Sequence, residues 1–174
     1  MIYLFTAVLS LLPISELRGG IPFAMANGIP WYIAWPFAAA VNALAAPLCW
    51  LFLFTIHRLL YGAAAPNITE NIAAKKPWQG FKWYRFLFDR FVERTREKLK
   101  GGIEKWGALG VAVFVAIPLP ATGAWTGTIG AWVLGLPKRK TLPAVILGVI
   151  VAGAVVTAVM LLGGSALRIF INQR

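Results

Sequence analysis

The sequence is poor in the side chains that carry most enzyme chemistry. It holds one cysteine (Cys49), one histidine (His57) and one aspartate (Asp89). A single cysteine excludes an intrachain disulfide and a cysteine cluster. One histidine and one aspartate exclude the common metal clusters and triads with repeated ligands. No glycine-rich phosphate loop ending in lysine occurs, so no ATP-driven engine is read in this chain. No enzyme activity, cofactor or metal is expected. Charge is scarce too: charged residues make up 13%, about half the ~25% of a soluble domain. Negative charge is scarcer still, with 6 Asp and Glu against 17 Lys and Arg.

What the chain has instead is apolar length. Hydrophobic residues make up 59% of its 174 positions and the mean hydropathy is +0.72. That composition indicates one integral membrane domain. The net charge of +11 then reads as cytoplasmic Lys and Arg facing anionic lipid headgroups, not as a nucleic-acid surface. Cys49 lies in an apolar run and is expected to pack as a small hydrophobe. Residues 1–12 are apolar but have no basic segment before them, so a cleaved signal peptide is not expected.

Two stretches break the apolar runs. The first is Pro13-Ile14-Ser15-Glu16-Leu17-Arg18-Gly19-Gly20-Ile21-Pro22; the second is Pro118-Leu119-Pro120-Ala121-Thr122-Gly123-Ala124-Trp125-Thr126-Gly127. Residues 1–12 are too few to cross a bilayer, which takes about 20. Proline then interrupts the helix, and Gly28-Ile29-Pro30 ends the segment. Residues 1–29 therefore read as a helix, a break and a half-helix. Residues 36–57 are long enough to span, with Asn42 and Pro47 tolerated if they face other helices. Trp31, Tyr32 and Trp35 before them suit a membrane interface, and His57 beside Arg58 reads as interfacial.

Residues 62–105 form a basic linker. Within it, Tyr84, Leu87, Phe88, Phe91, Val92, Thr95 and Leu99 recur at helical spacing over 81–100. This basic amphipathic helix either lies on anionic headgroups or packs on the domain as a solvated arm. Residues 106–135 are apolar again, interrupted at Pro118, Pro120, Gly123 and Gly127. Lys138-Arg139-Lys140 reads as a basic turn. Residues 141–165 can span, with Gly148, Gly153, Gly163 and Gly164 expected at close helix contacts.

The two halves align without gaps at an offset that sets Gly28 on Gly135. Val8 then meets Val115, Pro13 meets Pro120, Gly20 meets Gly127, Pro30 meets Pro137 and Pro36 meets Pro143. Charge decides the topology of such a repeat. Only if each broken segment enters and leaves on one side do the linker and Lys138–Lys140 share the cytoplasm. The expected fold is an all-α integral membrane protein with an inverted repeat, each half a re-entrant helical hairpin plus a spanning helix. The first repeat is 1–61 (re-entrant 1–29, span 36–57), the cytoplasmic linker is 62–105, and the second repeat is 106–174 (re-entrant 106–135, span 141–165). Inverted repeats with broken helices are a transporter signature.

Glu16 is the only acidic residue outside the linker. An ionisable group at membrane depth is functional by default, and Arg18 is its neighbour. The candidate substrate or proton site is Glu16, Arg18, Ser15, Gly19, Gly20, Pro120, Thr122, Gly123, Trp125 and Thr126. Glu16 either couples protons or pins the break as a structural pair with Arg18. Ser15, Thr122 and Thr126 either bind substrate or cap exposed backbone. Trp125 is expected to line the cavity.

The two broken stretches also resemble the two motifs of the putative small multi-drug export protein family, and the likeness covers nearly the whole chain. That family is similar to the broader DedA/VTT superfamily of proposed lipid transporters and scramblases. The resemblance implies a multi-pass inner-membrane protein with two opposed re-entrant hairpins and a lipid-like or drug-like amphiphilic substrate. Efflux of cationic drugs and a non-transporting scaffold acting through the basic helix are the competing expectations. A homodimer is expected, because so few helices enclose little volume.

Overall fold

The computed structural model describes residues 1–61, 106–119 and 122–171. The linker 62–105 with its amphipathic helix, and Pro120, lie outside the described residues. Those described form seven helices and no strand. The first break follows from its prolines. Helix α1 (Ile2–Leu11) stops at Leu12, which is extended (φ −63°, ψ 133°). A residue before proline is driven out of the helical region. Helix α2 (Glu16–Ala26) then resumes. It ends on Gly28 at φ 86°, where the Gly28 N–H donates to the Met25 carbonyl (3.1 Å) and the Ile29 N–H to Ala24 (3.0 Å). A Cβ on Gly28 would meet nothing within 4 Å. Glycine is needed there for its backbone freedom, not for space.

Pro30 (φ −64°, ψ 146°) caps helix α3 (Trp31–Ala43). Helix α4 (Ala45–Tyr61) follows after Leu44 alone. Pro47 cannot donate to the Ala43 carbonyl, which accounts for the interruption. Together Trp31–Ile56 make a 26-residue apolar stretch of mean hydropathy 2.0, roughly 39 Å at 1.5 Å per residue. The helix thus starts five positions before the expected Pro36, at Trp31. Pro30 and Pro36 both fit a helix start by sequence, and Pro30 occupies it.

The second half repeats these steps. Helix α5 (Ala108–Ala116) stops at Ile117, extended ahead of Pro118. Helix α6 (Ala124–Val133) ends on Gly135 at φ 74°. There the Gly135 N–H donates to Trp132 (3.1 Å) and the Leu136 N–H to Ala131 (2.9 Å). Helix α7 (Lys138–Ile171) begins right after Pro137. Its stretch Lys138–Gly163 has 26 residues of mean hydropathy 2.9. The ends of α2 and α6 (Ala26, Val133) and the starts of α3 and α7 (Trp31, Lys138) keep the sequence offset. Lys138, Arg139 and Lys140 form the exposed first turn of α7 rather than a separate turn before it.

The core is built on small side chains. Ile21 and Leu17 of α2, Val111 and Val115 of α5, and Val145 and Val149 of α7 are buried with alanines of α3, α4 and α6. Lipid tails are as apolar as leucine, so close backbone approach is what binds such helices. A Cβ on Gly148 would lie 2.7 Å from the Ala112 carbonyl, and one on Gly153 would lie 2.6 Å from the Trp35 ring. These two glycines sit at helix contacts as expected; Gly163 has nothing within 4 Å among the described residues. The outer surface carries Leu4, Phe5, Leu51, Phe52, Leu147, Val159 and Leu162. Such an exposed apolar surface suits lipid. The packing is reciprocal. Helix α2 lies against α7 while α6 lies against α4, and α3 meets α7 between them.

Candidate functional site

The two breaks meet. Glu16 begins α2 and is buried, 5% exposed, with a left-handed φ of 47°. It is the one non-glycine residue at positive φ among the described residues. That conformation costs about 1–3 kcal/mol and persists only where the surroundings over-determine it. The surroundings are the start of α6. A Cβ on Gly123 would overlap the Glu16 carboxylate, so the absence of a side chain makes room for it. The Trp125 N–H points to Glu16 Oε1 at 3.5 Å. Gly123 itself offers α6 no side-chain cap. A carboxylate from the other half stands where a capping side chain stands in ordinary helices.

Arg18 is the counterion. Its Nη2 lies 3.9 Å from Glu16 Oε2, and its Nη1 donates to the Leu119 carbonyl in the second break. The second half answers: Trp125 Nε1 donates to the Leu11 carbonyl at the end of α1, 2.8 Å away. Leu11 is the last residue of α1 and Leu119 lies past the end of α5, where carbonyls lack helical partners. Residues 18 and 125 correspond at the sequence offset that sets Gly28 on Gly135, and each donates across to the other half.

The remaining expected residues divide. The Thr122 hydroxyl lies 2.5 Å from the Ile117 carbonyl and 2.8 Å from Leu119, and it accepts from the Leu119 N–H at 3.0 Å. Thr126 donates to the Gly123 carbonyl at 3.4 Å. Both hydroxyls are engaged with local backbone. Ser15 precedes α2 without a side-chain capping bond, and its hydroxyl occupies the space a Cβ on Gly19 would need. Gly20 lets α1 approach: a Cβ there would lie 3.3 Å from Ser10 Cα. The Trp125 ring turns to Leu11 and does not line the cavity, where only its backbone N–H addresses Glu16.

Glu16, Arg18, Thr122 and Gly123 share a cavity with Asn42 of α3. Its volume is about 10 Å³, room for roughly one water molecule. Asn42 is the member that sequence reasoning passed over. The signal was a polar residue within a span, which marks a functional position. A second hollow of about 440 Å³ lies between α3 and α7, walled by Trp31, Tyr32, Trp35, Ile146 and Ile150 over a floor of alanines.

A family model described as "putative small multi-drug export protein" matches residues 16–155. The chain belongs to that family. The match starts at Glu16 within the first break and takes in the second break, the linker and the first part of α7. Nothing among curated proteins or solved structures matches this small multi-drug export family member. Family membership and the two long apolar helices make it a membrane protein of the export type.

Proposed function

We propose that the protein is a secondary transporter or flippase for an amphiphilic molecule, built as an inverted repeat and coupled to protons through Glu16. The observation that carries this reading is the crossing of the two breaks. Glu16 sits on the N-terminus of α6, while Arg18 and Trp125 exchange hydrogen bonds with the opposite break. Broken helices are stable at membrane depth only where protein or water covers them. Crossings of this kind are where transporters hold ions and substrates. The matched helix ends and reciprocal packing support the repeat.

In this topology, 1–29 and 106–135 re-enter from opposite faces. The linker and Lys138–Lys140 lie in the cytoplasm, and the protein sits in the inner (plasma) membrane. Lys138, Arg139 and Lys140 at a helix N-terminus oppose the helix dipole, at about 0.3–1 kcal/mol each. Their position is explained by the preference of basic residues for the cytoplasmic side, where they and the linker meet anionic headgroups. Domain limits follow the sequence reading: 1–61, 62–105 and 106–174.

The amphiphilic substrate is supported by the pairing of a polar centre with the apolar hollow walled by Trp31 and Ile146. A cavity with room for one water does not admit such a molecule. Passage of such a molecule therefore requires the breaks to part. Arg18 beside Glu16 favours an anionic or zwitterionic headgroup over a cationic drug. Drug export, as the family's description has it, stays the second reading, because Glu16 is the one acid in either apolar half. A homodimer would enlarge the enclosed volume.

The test is reconstitution in liposomes with labelled phospholipids and cationic dyes, with and without a pH gradient. Lipid movement that stops in Arg18→Ala is the expected result. Dye efflux that needs Glu16 but not Arg18 would replace the lipid reading with drug export. No movement of either, with elbow variants still folded and loss of phenotype only on neutralising 81–100, would leave a scaffold. The topology is tested separately by cysteine labelling, expected to reach 31–35 and 138–140 from opposite compartments.

A further inference from the structure

Asn42 is 1% exposed and its Oδ1 has no hydrogen-bond partner among the described residues. Its Nδ2 donates to the Ser10 carbonyl at 2.6 Å, which fixes the amide. The carbonyl oxygen is then left as an acceptor on the cavity that Glu16 also lines. Leaving such a buried acceptor unmet costs about 1–3 kcal/mol. An ionised carboxylate is also purely an acceptor. Two residues with acceptor oxygens line one cavity of about 10 Å³, and what can satisfy both is a small donor with two hydrogens.

We infer that Asn42 and Glu16 hold one water molecule between them, and that this trio is the site of a single exchangeable proton. It rests on the proton-linked reading of Glu16 and adds to it a residue and a ligand. With Glu16 ionised, the water donates one hydrogen to the carboxylate and the other to Asn42 Oδ1. With Glu16 protonated, the carboxyl O–H donates to the water oxygen, and the water keeps its bond to Asn42. One O–H bond forms at Glu16 and the proton comes from bulk water. A metal cation is disfavoured because the Arg18 guanidinium stands 3.9 Å from Glu16 Oε2.

Among the described residues, Arg18 on α2 is the one charged group facing Glu16. Asn42 from α3, Val115 from α5, Ala124 from α6, and Val149 and Ala152 from α7 bring no charge to the cavity. Cys49 on α4 directs its thiol to the Trp125 carbonyl at 3.9 Å and does not line it. Protonation therefore removes the charge that both Arg18 and the α6 N-terminus hold. Proton occupancy is thereby tied to the grip between the two halves. Asn42 acts as a positioning residue for the proton.

Infrared difference spectra of the full chain in lipid vesicles, acid minus alkaline, read this directly. The Glu16 carboxyl band is identified by its loss in Glu16→Gln. Asn42→Leu fills the cavity with methyl groups and expels the water, so the band is expected to move to higher frequency, as for a carboxyl without an acceptor. Ser10→Ala keeps the backbone carbonyl that holds Asn42 and should leave the band unmoved. A band at the same frequency in Asn42→Leu overturns the inference and leaves proton coupling standing. No Glu16 band at any pH overturns both. If Asn42→Leu does not assemble, the wild type decides: exchange into ¹⁸O-water should shift one internal O–H band that Glu16→Gln alters. No such band overturns the inference.

Discussion

Helices α1–α4 and α5–α7 share their breaks and glycine ends but not their chemistry. Where the first half has Glu16, the second has Gly123; where the first has Arg18, the second has Trp125. The first difference is one of complement. A long carboxylate fits because its counterpart has no side chain. The second preserves a function with different atoms: both residues donate an N–H across to the other break. At the breaks, the ionisable side chains Glu16 and Arg18 both come from the first half. The other half supplies a helix N-terminus and an aromatic donor.

The comparison breaks most sharply at Gly123. Gly123→Ala should destabilise the protein by about 1–3 kcal/mol, the range for overpacking a close contact, read as a lower unfolding temperature in detergent. Glu16→Ala should restore much of that loss in the double variant, because it removes the other party to the overlap. Additive losses would show that the two residues do not oppose one another.

Glu16→Gln comes next. It keeps the shape and removes the charge, so the chain should assemble while the pH dependence of transport disappears, with about a tenfold loss at the optimal gradient, or 1.4 kcal/mol. Unchanged pH dependence in flux assays would assign Glu16 and Arg18 to structure alone. Trp125→Phe removes one hydrogen bond to Leu11 and should cost about 1 kcal/mol, measured by unfolding. The Arg18 counterpart should cost more, because it also leaves Glu16 without its cation. The smallest effects test what the halves share. Gly28→Ala and Gly135→Ala force alanine to positive φ and should each cost about 1 kcal/mol. Clearly unequal values would mean the two helix ends carry different loads.

The sequence disclosed whatever depends on neighbours along the chain. Pro13 and Pro118 stop helices by themselves, Gly28 and Gly135 end them, and the apolar runs require a membrane setting. Glu16 stood out as the only acid of the apolar halves. Local reading failed where two local signals competed, as at Pro30 and Pro36.

The sequence by itself determined the apolar helices, the two proline breaks and the glycine helix ends, because proline geometry, glycine freedom and hydropathy act within a few residues. Only the tertiary structure decided that Glu16 faces Gly123 and the start of α6, that Trp125 bonds to Leu11 and that Asn42 joins the cavity. Those pairings depend on which helix faces pack across the breaks. No spacing along the chain encodes contacts between residues more than a hundred positions apart.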